Sequence, residues 1–179
     1  MTFVDSFSVA SQETSPSGIA FNSDGTKMFV IGWRGDDVNE YHLSTGFDVS
    51  TAAYDSNFSV SSQETTPRGI AFNSDGTKMF VIGNSGDDVN EYTLSTGFDV
   101  STAAYDSNFS VSSQETHPMD IAFNSDGTKM FMLGFAGKDV NEYTLSTGFD
   151  VSTSSFVDSF SVASQETSPR GIAFNSDGT

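Results

Sequence analysis

The sequence predicts an all-β fold assembled from one repeated four-stranded antiparallel unit, and three observations predict it. Pro16, Pro67, Pro118 and Pro169 recur at a spacing of 51 residues, and Phe21, Phe72, Phe123 and Phe174 recur at the same spacing. Short apolar runs within each unit are separated by clusters of Gly, Asn, Asp and Ser, the punctuation of strands and tight turns. No apolar run has the length or the 3.6-residue period of a helix. The full repeats are 3–53, 54–104 and 105–155, with 156–179 as about half of another. Aligning 54–104 with 105–155 leaves ten differences in 51 positions, which points to recent duplication or design.

The strands follow in order within the second unit. The first, strand A, is Gly69-Ile70-Ala71-Phe72-Asn73, and it ends at Ser74-Asp75-Gly76-Thr77. Asp-Gly there supplies the positive-φ residue that a tight hairpin needs. Strand B, Lys78-Met79-Phe80-Val81-Ile82-Gly83, is apolar on both faces, as expected of a strand buried between two layers. Asn84-Ser85-Gly86-Asp87 turns the chain into strand C, Asp88 to Leu94. A longer connection through Phe98-Asp99 leads to strand D, about Ser107 to Val111, and a loop ending in proline opens the next strand A. Four antiparallel strands in a unit of this length describe a β-propeller blade. One blade cannot bury both of its faces, so neighbouring blades must stack about an axis.

Gly-Ile-Ala-Phe-Asn-Ser-Asp-Gly-Thr-Lys-Met-Phe-Val-Ile-Gly (69–83), with Asp-Asp-Val-Asn-Glu-Tyr-Thr-Leu-Ser-Thr (87–96) after it, resembles the repeat of WD40-like and YVTN-like β-propellers. The resemblance runs the length of the chain. It implies the fold and no particular function, because such propellers serve as scaffolds, lectins and enzymes. The Trp-Asp pair that ends strand C in WD40 repeats is missing, so the partner rules of that family are not carried over.

Acidic residues number 24 and basic residues 7, giving a net charge of −17. No basic stripe is available to neutralise phosphates, so nucleic acid and anionic membrane are not expected partners. The chain holds no cysteine, which excludes disulfides. No apolar run reaches the roughly 18 residues of a membrane span, and the first residues lack the basic-then-apolar pattern of a secretory signal. A soluble protein of unknown compartment is the resulting expectation.

Differences between the copies gather in two places: the D–A loop, with Thr66 and Arg68 answered by His117, Met119 and Asp120, and the B–C turn, with Trp33 and Arg34 answered by Asn84 and Ser85 and by Phe135, Ala136 and Lys138. Successive antiparallel strands reverse direction, so both places emerge on one face of a ring. Loops on a rigid scaffold commonly carry binding. The candidate ligand-binding residues are therefore Trp33, Arg34, Arg68, Asn84, His117, Asp120 and Phe135, and drift of surface loops is the competing explanation. A carbohydrate or a peptide is the expected ligand class, since an exposed Trp-Arg pair offers a stacking surface.

Catalytic and metal motifs are not visible. His42 and His117 occupy unrelated repeat positions, no Cys/His cluster has zinc spacing, and no Gly-x-Ser-x-Gly elbow occurs. The expectation is a binding or scaffold module without enzymatic activity, without cofactor and without metal. A lectin-like propeller and a hydrolase or lyase with a site in the central channel are the alternatives. Asn22-Ser23-Asp24-Gly25 resembles a calcium loop, but placing Gly25 as the turn glycine puts Ala20 and Ile31 where carboxylates are required, so hairpin chemistry is the better reading. Asp36-Asp37 and Asp87-Asp88 read as solvated turn residues, since adjacent side chains near a strand point to opposite faces.

The strand order D, then A-B-C-D three times, then A makes fourteen strands, and two chains would supply the number for seven blades. A homo-oligomer is expected, with a dimer favoured and a trimer as the other option. Residues 156–179 nearly duplicate 3–26, so two copies of the D–A segment compete for one place at each junction.

Overall fold

The computed structural model of the chain describes residues 2–175. Twelve strands form three separate four-stranded antiparallel sheets. The first blade holds β1 (Pro16–Phe21), β2 (Lys27–Gly32), β3 (Asp37–Leu43) and β4 (Ala52–Ser59). The second holds β5 (Pro67–Phe72), β6 (Lys78–Gly83), β7 (Asp88–Leu94) and β8 (Ala103–Ser110). The third holds β9 (Pro118–Phe123), β10 (Lys129–Gly134), β11 (Asp139–Leu145) and β12 (Ser154–Ser161). Within each blade the strands lie in sequence order, as a meander. The blades therefore begin at the prolines, and strand D starts about four residues earlier than its apolar content suggests. A single 3₁₀ turn, such as Val100–Thr102, precedes each fourth strand and is capped by Asp99, whose carboxylate accepts from Ser101 N.

The alternation along β6 builds the core on two sides. Met79 and Val81 pack against Phe29, Ile31 and Val38 of the first blade. Phe80 and Ile82 pack against Ile121, Met130 and Met132 of the third. Strand B is thus buried between two layers, as its sequence predicts. Polar ties cross the same interfaces. Glu40 accepts from Val100 N at 2.9 Å and Glu91 from Val151 N at 2.8 Å, while Lys27 and Lys78 pair with these two buried carboxylates.

The A–B turn follows the predicted chemistry. Gly76 has φ +72°, and Asp75 Oδ1 accepts from Thr77 N at 3.0 Å and from its hydroxyl at 2.6 Å. The Asn73 and Asp75 side chains are thus spent on their own turn. The fourth copy of this turn, at 175–178, extends outside the described residues. Across from Gly76, Phe98 sits at φ +59° and donates its N–H to Gly76 O at 3.0 Å. A bulky residue rarely adopts that conformation. It is held here because the ring packs on Phe72, with centroids 5.6 Å apart, directly over the Gly76 Cα.

Twelve strands, rather than the fourteen read from the sequence, form in the described residues. Residues 3–9 and 170–174 repeat strands D and A but join no sheet. Each nevertheless takes the position of a missing neighbour's strand. Phe7 meets Tyr41 edge-on at 5.5 Å, as Phe58 meets Tyr92 at 5.5 Å and Phe109 meets Tyr143 at 5.6 Å. Phe174 meets Phe131 at 4.5 Å, as Phe72 meets Phe29 at 4.5 Å. Strand propensity is present in both segments, and what they lack is an adjacent strand to pair with.

Candidate functional site

The D–A loops and B–C turns do share one face, and a buried glutamate fastens them together. Glu64, in the loop that enters the second blade, is fully buried. Its carboxylate accepts from Thr66 N at 2.6 Å within the loop and from Ser85 N at 3.0 Å and Gly86 N at 3.3 Å in the B–C turn. Glu115 does the same in the third blade, accepting from His117 N at 2.7 Å and Gly137 N at 2.8 Å. These N–H donors compensate the charge for its burial. The sequence reading missed the glutamates because Ser-Gln-Glu-Thr looks like solvated loop. The available signal was identity: the glutamate is unchanged in every copy while residues two and four places later vary.

On this rigid face, four of the seven candidate residues come together. Arg68, Asn84, His117 and Phe135 line one cavity of about 200 Å³, joined by Met119 and Arg170. Arg170 places its guanidinium 5.7 Å from the Phe135 ring centroid. The Nε of Arg68 and the Oδ1 of Asn84 are buried without a hydrogen-bonding partner. The other three candidates lie apart. Trp33 is exposed in the first blade, with the Arg34 guanidinium over its ring at 5.1 Å.

Asp120 lies beside the neighbouring first strands rather than in the loop cavity. The innermost strands β1, β5 and β9 run side by side, and their backbones approach closely where the repeat places Gly18, Gly69 and Asp120. A Cβ on Gly69 would stand 2.8 Å from the Asp120 Cα, so only glycine fits there. Asp120 Oδ1 accepts from Ile121 N and Oδ2 from Ile172 N, both at 2.9 Å. Burial raises its carboxyl above the ordinary range, opposed by these two donors.

The paired aspartates also differ from expectation. Asp88 is buried, and its two oxygens accept from Asn90 Nδ2 at 2.7 Å and Asn108 Nδ2 at 2.6 Å. It is a structural anchor between β7 and β8 rather than a solvated turn residue. Asp87 takes the positive φ, at 49°, that turns the chain into β7.

Comparison with solved structures bears on the architecture. The chain is similar to a putative 6-phosphogluconolactonase from Bacteroides fragilis, with a TM-score of 0.66 and 16% identity over 98% of this chain and 49% of that one. It is also similar to Kuenenia stuttgartiensis hydrazine synthase, with a TM-score of 0.63 and 16% identity over 99% of this chain and 44% of that one. The fold is that of a β-propeller. A periplasmic gluconolactonase from Pseudomonas aeruginosa matches with a TM-score of 0.54 and 12% identity, over 81% of this chain and 38% of that one. This propeller chain therefore spans less than half the length of the solved structures it matches. No protein-family model and no curated protein sequence matches it.

These neighbours correct the expectation that enzymatic activity is absent. Proteins named as lactonases are built on this fold. A nucleophile elbow and metal-ligand spacing are local motifs, whereas a site gathered from several blades leaves no such motif in the sequence. At 12–16% identity the likeness shows the fold and assigns no reaction to this chain. Among the described residues, no helix is long and apolar enough to cross a membrane.

Proposed function

We propose that this chain is a self-assembling propeller segment, closed into a ring by a second copy of itself, which presents a ligand-binding face of D–A loops and B–C turns. One observation carries the reading: the two end faces repeat the faces buried between its own blades. On the first blade the end face carries Ile19, Met28, Val30, Tyr41, Leu43 and Val49. The second blade buries the same residue types at Ile70, Met79, Val81, Tyr92, Leu94 and Val100. At the other end, Phe131, Leu133 and Val140 correspond to the buried Phe29, Ile31 and Val38.

The terminal segments cover part of these faces, since Met28, Val30, Tyr41 and Leu43 are buried with Phe7 and Val9 packed on them, and the rest is open. Ile19 is 59% exposed where Ile70 and Ile121 are 5% and 3% exposed, and Phe160 is 72% exposed. Cavities of about 480 and 500 Å³ lie on the two faces. A head-to-tail junction would thus reuse an interface that occurs twice within the chain, and heterologous junctions close when the rotation closes. Closure requires each lone segment, 3–9 and 170–174, to yield to a full blade or to share one. The test is sedimentation of Ile19→Lys. The native chain is expected at twice its monomer mass and the variant at monomer mass with unchanged circular dichroism; equal masses would remove the reading.

A second reading is favoured by the neighbours named as lactonases: hydrolysis of a sugar lactone at the axial mouth, with Asp120 as the carboxyl group. Its test is acid release from gluconolactone in a pH-stat. Activity abolished in Asp120→Asn supports it, and no release above background removes it.

A further inference from the structure

We infer that the cavity between the second and third blades is a binding site for a small hydroxylated organic anion, a carboxylate or a phosphate. The inference deepens the ligand-binding face of the first proposal and names its ligand class. All six lining residues come from only three positions of the repeat. Arg68, Met119 and Arg170 share one position, Asn84 and Phe135 share a second, and His117 stands at the third. These are positions at which the copies differ, whereas the buried Glu64 and Glu115 that fix the surrounding loops are the same in each unit. The repeat thus keeps the frame constant and varies the lining.

The charge of the lining opposes that of the molecule. Of the seven Lys and Arg residues, Lys27, Lys78 and Lys129 are paired with Glu40, Glu91 and Glu142. The other four, Arg34, Arg68, Lys138 and Arg170, are all on the D–A/B–C face, and two of them line this cavity. Neither Arg68 nor Arg170 has a carboxylate within ion-pairing distance among the described residues. The loop carboxylates nearest in sequence, Glu64 and Glu115, are taken up by backbone N–H groups. In a chain of net charge −17, guanidinium groups without carboxylate partners are available to an incoming anion.

The polar atoms left without partners set the rest of the chemistry. Arg68 Nε is a buried donor and Asn84 Oδ1 a buried acceptor, and such atoms ordinarily find partners in folded proteins. An oxyanion accepts from Arg68, with Arg170 and His117 beside it. A hydroxyl on the same ligand donates to Asn84 Oδ1. Met119 and Phe135 supply an apolar wall for its carbon body. At about 200 Å³ the cavity is below the roughly 300 Å³ at which drug-sized pockets begin, so it takes a molecule of few carbons or the head of a larger one.

The probes are glycerol 3-phosphate, D-glycerate and glycerol, titrated calorimetrically into the full chain. The expected result is saturable binding of at least one anion at or below about 10 mM, weakening with salt, and none of glycerol. The two anions distinguish phosphate from carboxylate. Arg68→Gln is expected to weaken the binding anion about tenfold or more. Asn84→Asp, which places a like charge in the cavity, is expected to do the same and keeps the test open should Arg68→Gln fail to fold. Binding of neither anion, equal binding of glycerol, or unchanged affinity in folded variants overturns the site. Of the lining residues only Arg170 lies in a segment that closure displaces, and both variants are at other positions, so calorimetry reads the site at Arg68 and Asn84 while sedimentation separately reads assembly.

Discussion

Single residues hold this repeat in shape through contacts that local propensity opposes. Gly76 and Phe98 are the clearest pair, because the left-handed glycine leaves room for a ring that is itself left-handed. Gly76→Ala must hold a left-handed alanine, at about 1–2 kcal/mol, and must also push the ring away. A total loss above about 2 kcal/mol in urea unfolding is expected, and a loss under about 0.5 kcal/mol would contradict this account of the turn. Glu64 makes a second case. Glu64→Ala strips the acceptor from the N–H groups of Thr66, Ser85 and Gly86, and a loss of at least about 2 kcal/mol is expected by the same measurement. The Asp-Gly turn was legible in sequence because its chemistry is local. The glutamate was not, since its burial depends on a turn about twenty residues away.

Among elements, the inner strands of each blade were the easiest to read and the terminal segments the hardest. The two-sided apolar pattern of Met79-Phe80-Val81-Ile82 states that a layer lies on each side, and the structure places one there. Residues 3–9 and 170–174 carry the same strand pattern, but a strand also needs a neighbour, which pattern alone does not report. The variable loops pointed to Arg68, Asn84, His117 and Phe135, and these do meet. Trp33 and Arg34 stand apart because they belong to the first blade, and Asp120 lies between neighbouring first strands because its repeat position is that of Gly18 and Gly69. The blade-to-blade ties give an element-scale prediction. Glu91 is 1% exposed and bonds Val151 N, whereas Glu142, its repeat equivalent, is 30% exposed and, among the described residues, holds only Lys129. Glu142→Gln is expected to leave the fold of one chain unchanged and to weaken assembly, whereas Glu91→Gln is expected to lower the thermal midpoint of the chain itself. Dilution series followed by light scattering and circular dichroism separate the two effects, and equal effects of the two changes would contradict the account.

At the scale of the whole molecule, charge and closure decide behaviour. Burial raises the carboxyls of Asp88, Glu91 and Asp120, while hydrogen bonds to Thr26, Thr77 and Thr128 lower those of the exposed Asp24, Asp75 and Asp126. Raised groups bind protons more tightly in the folded state. Their contribution is fully present below the unfolded carboxylate value of about 4 and is lost as pH rises through the raised values. The lowered groups act in the opposite sense, and their window lies below about pH 4. The thermal midpoint is therefore expected to rise on acidification from neutral pH toward about pH 4, where the net charge of −17 also relaxes, and then to fall in stronger acid. A midpoint that falls steadily from neutral pH would contradict this balance.

Closure rests on the likeness of the end faces to the faces buried inside the chain. The most direct test is the absolute mass of the native chain in solution, measured by light scattering across a wide range of concentration. A single species at twice the 19.1 kDa chain mass is predicted. A monodisperse monomer, or an open ladder of ever larger species, would contradict it.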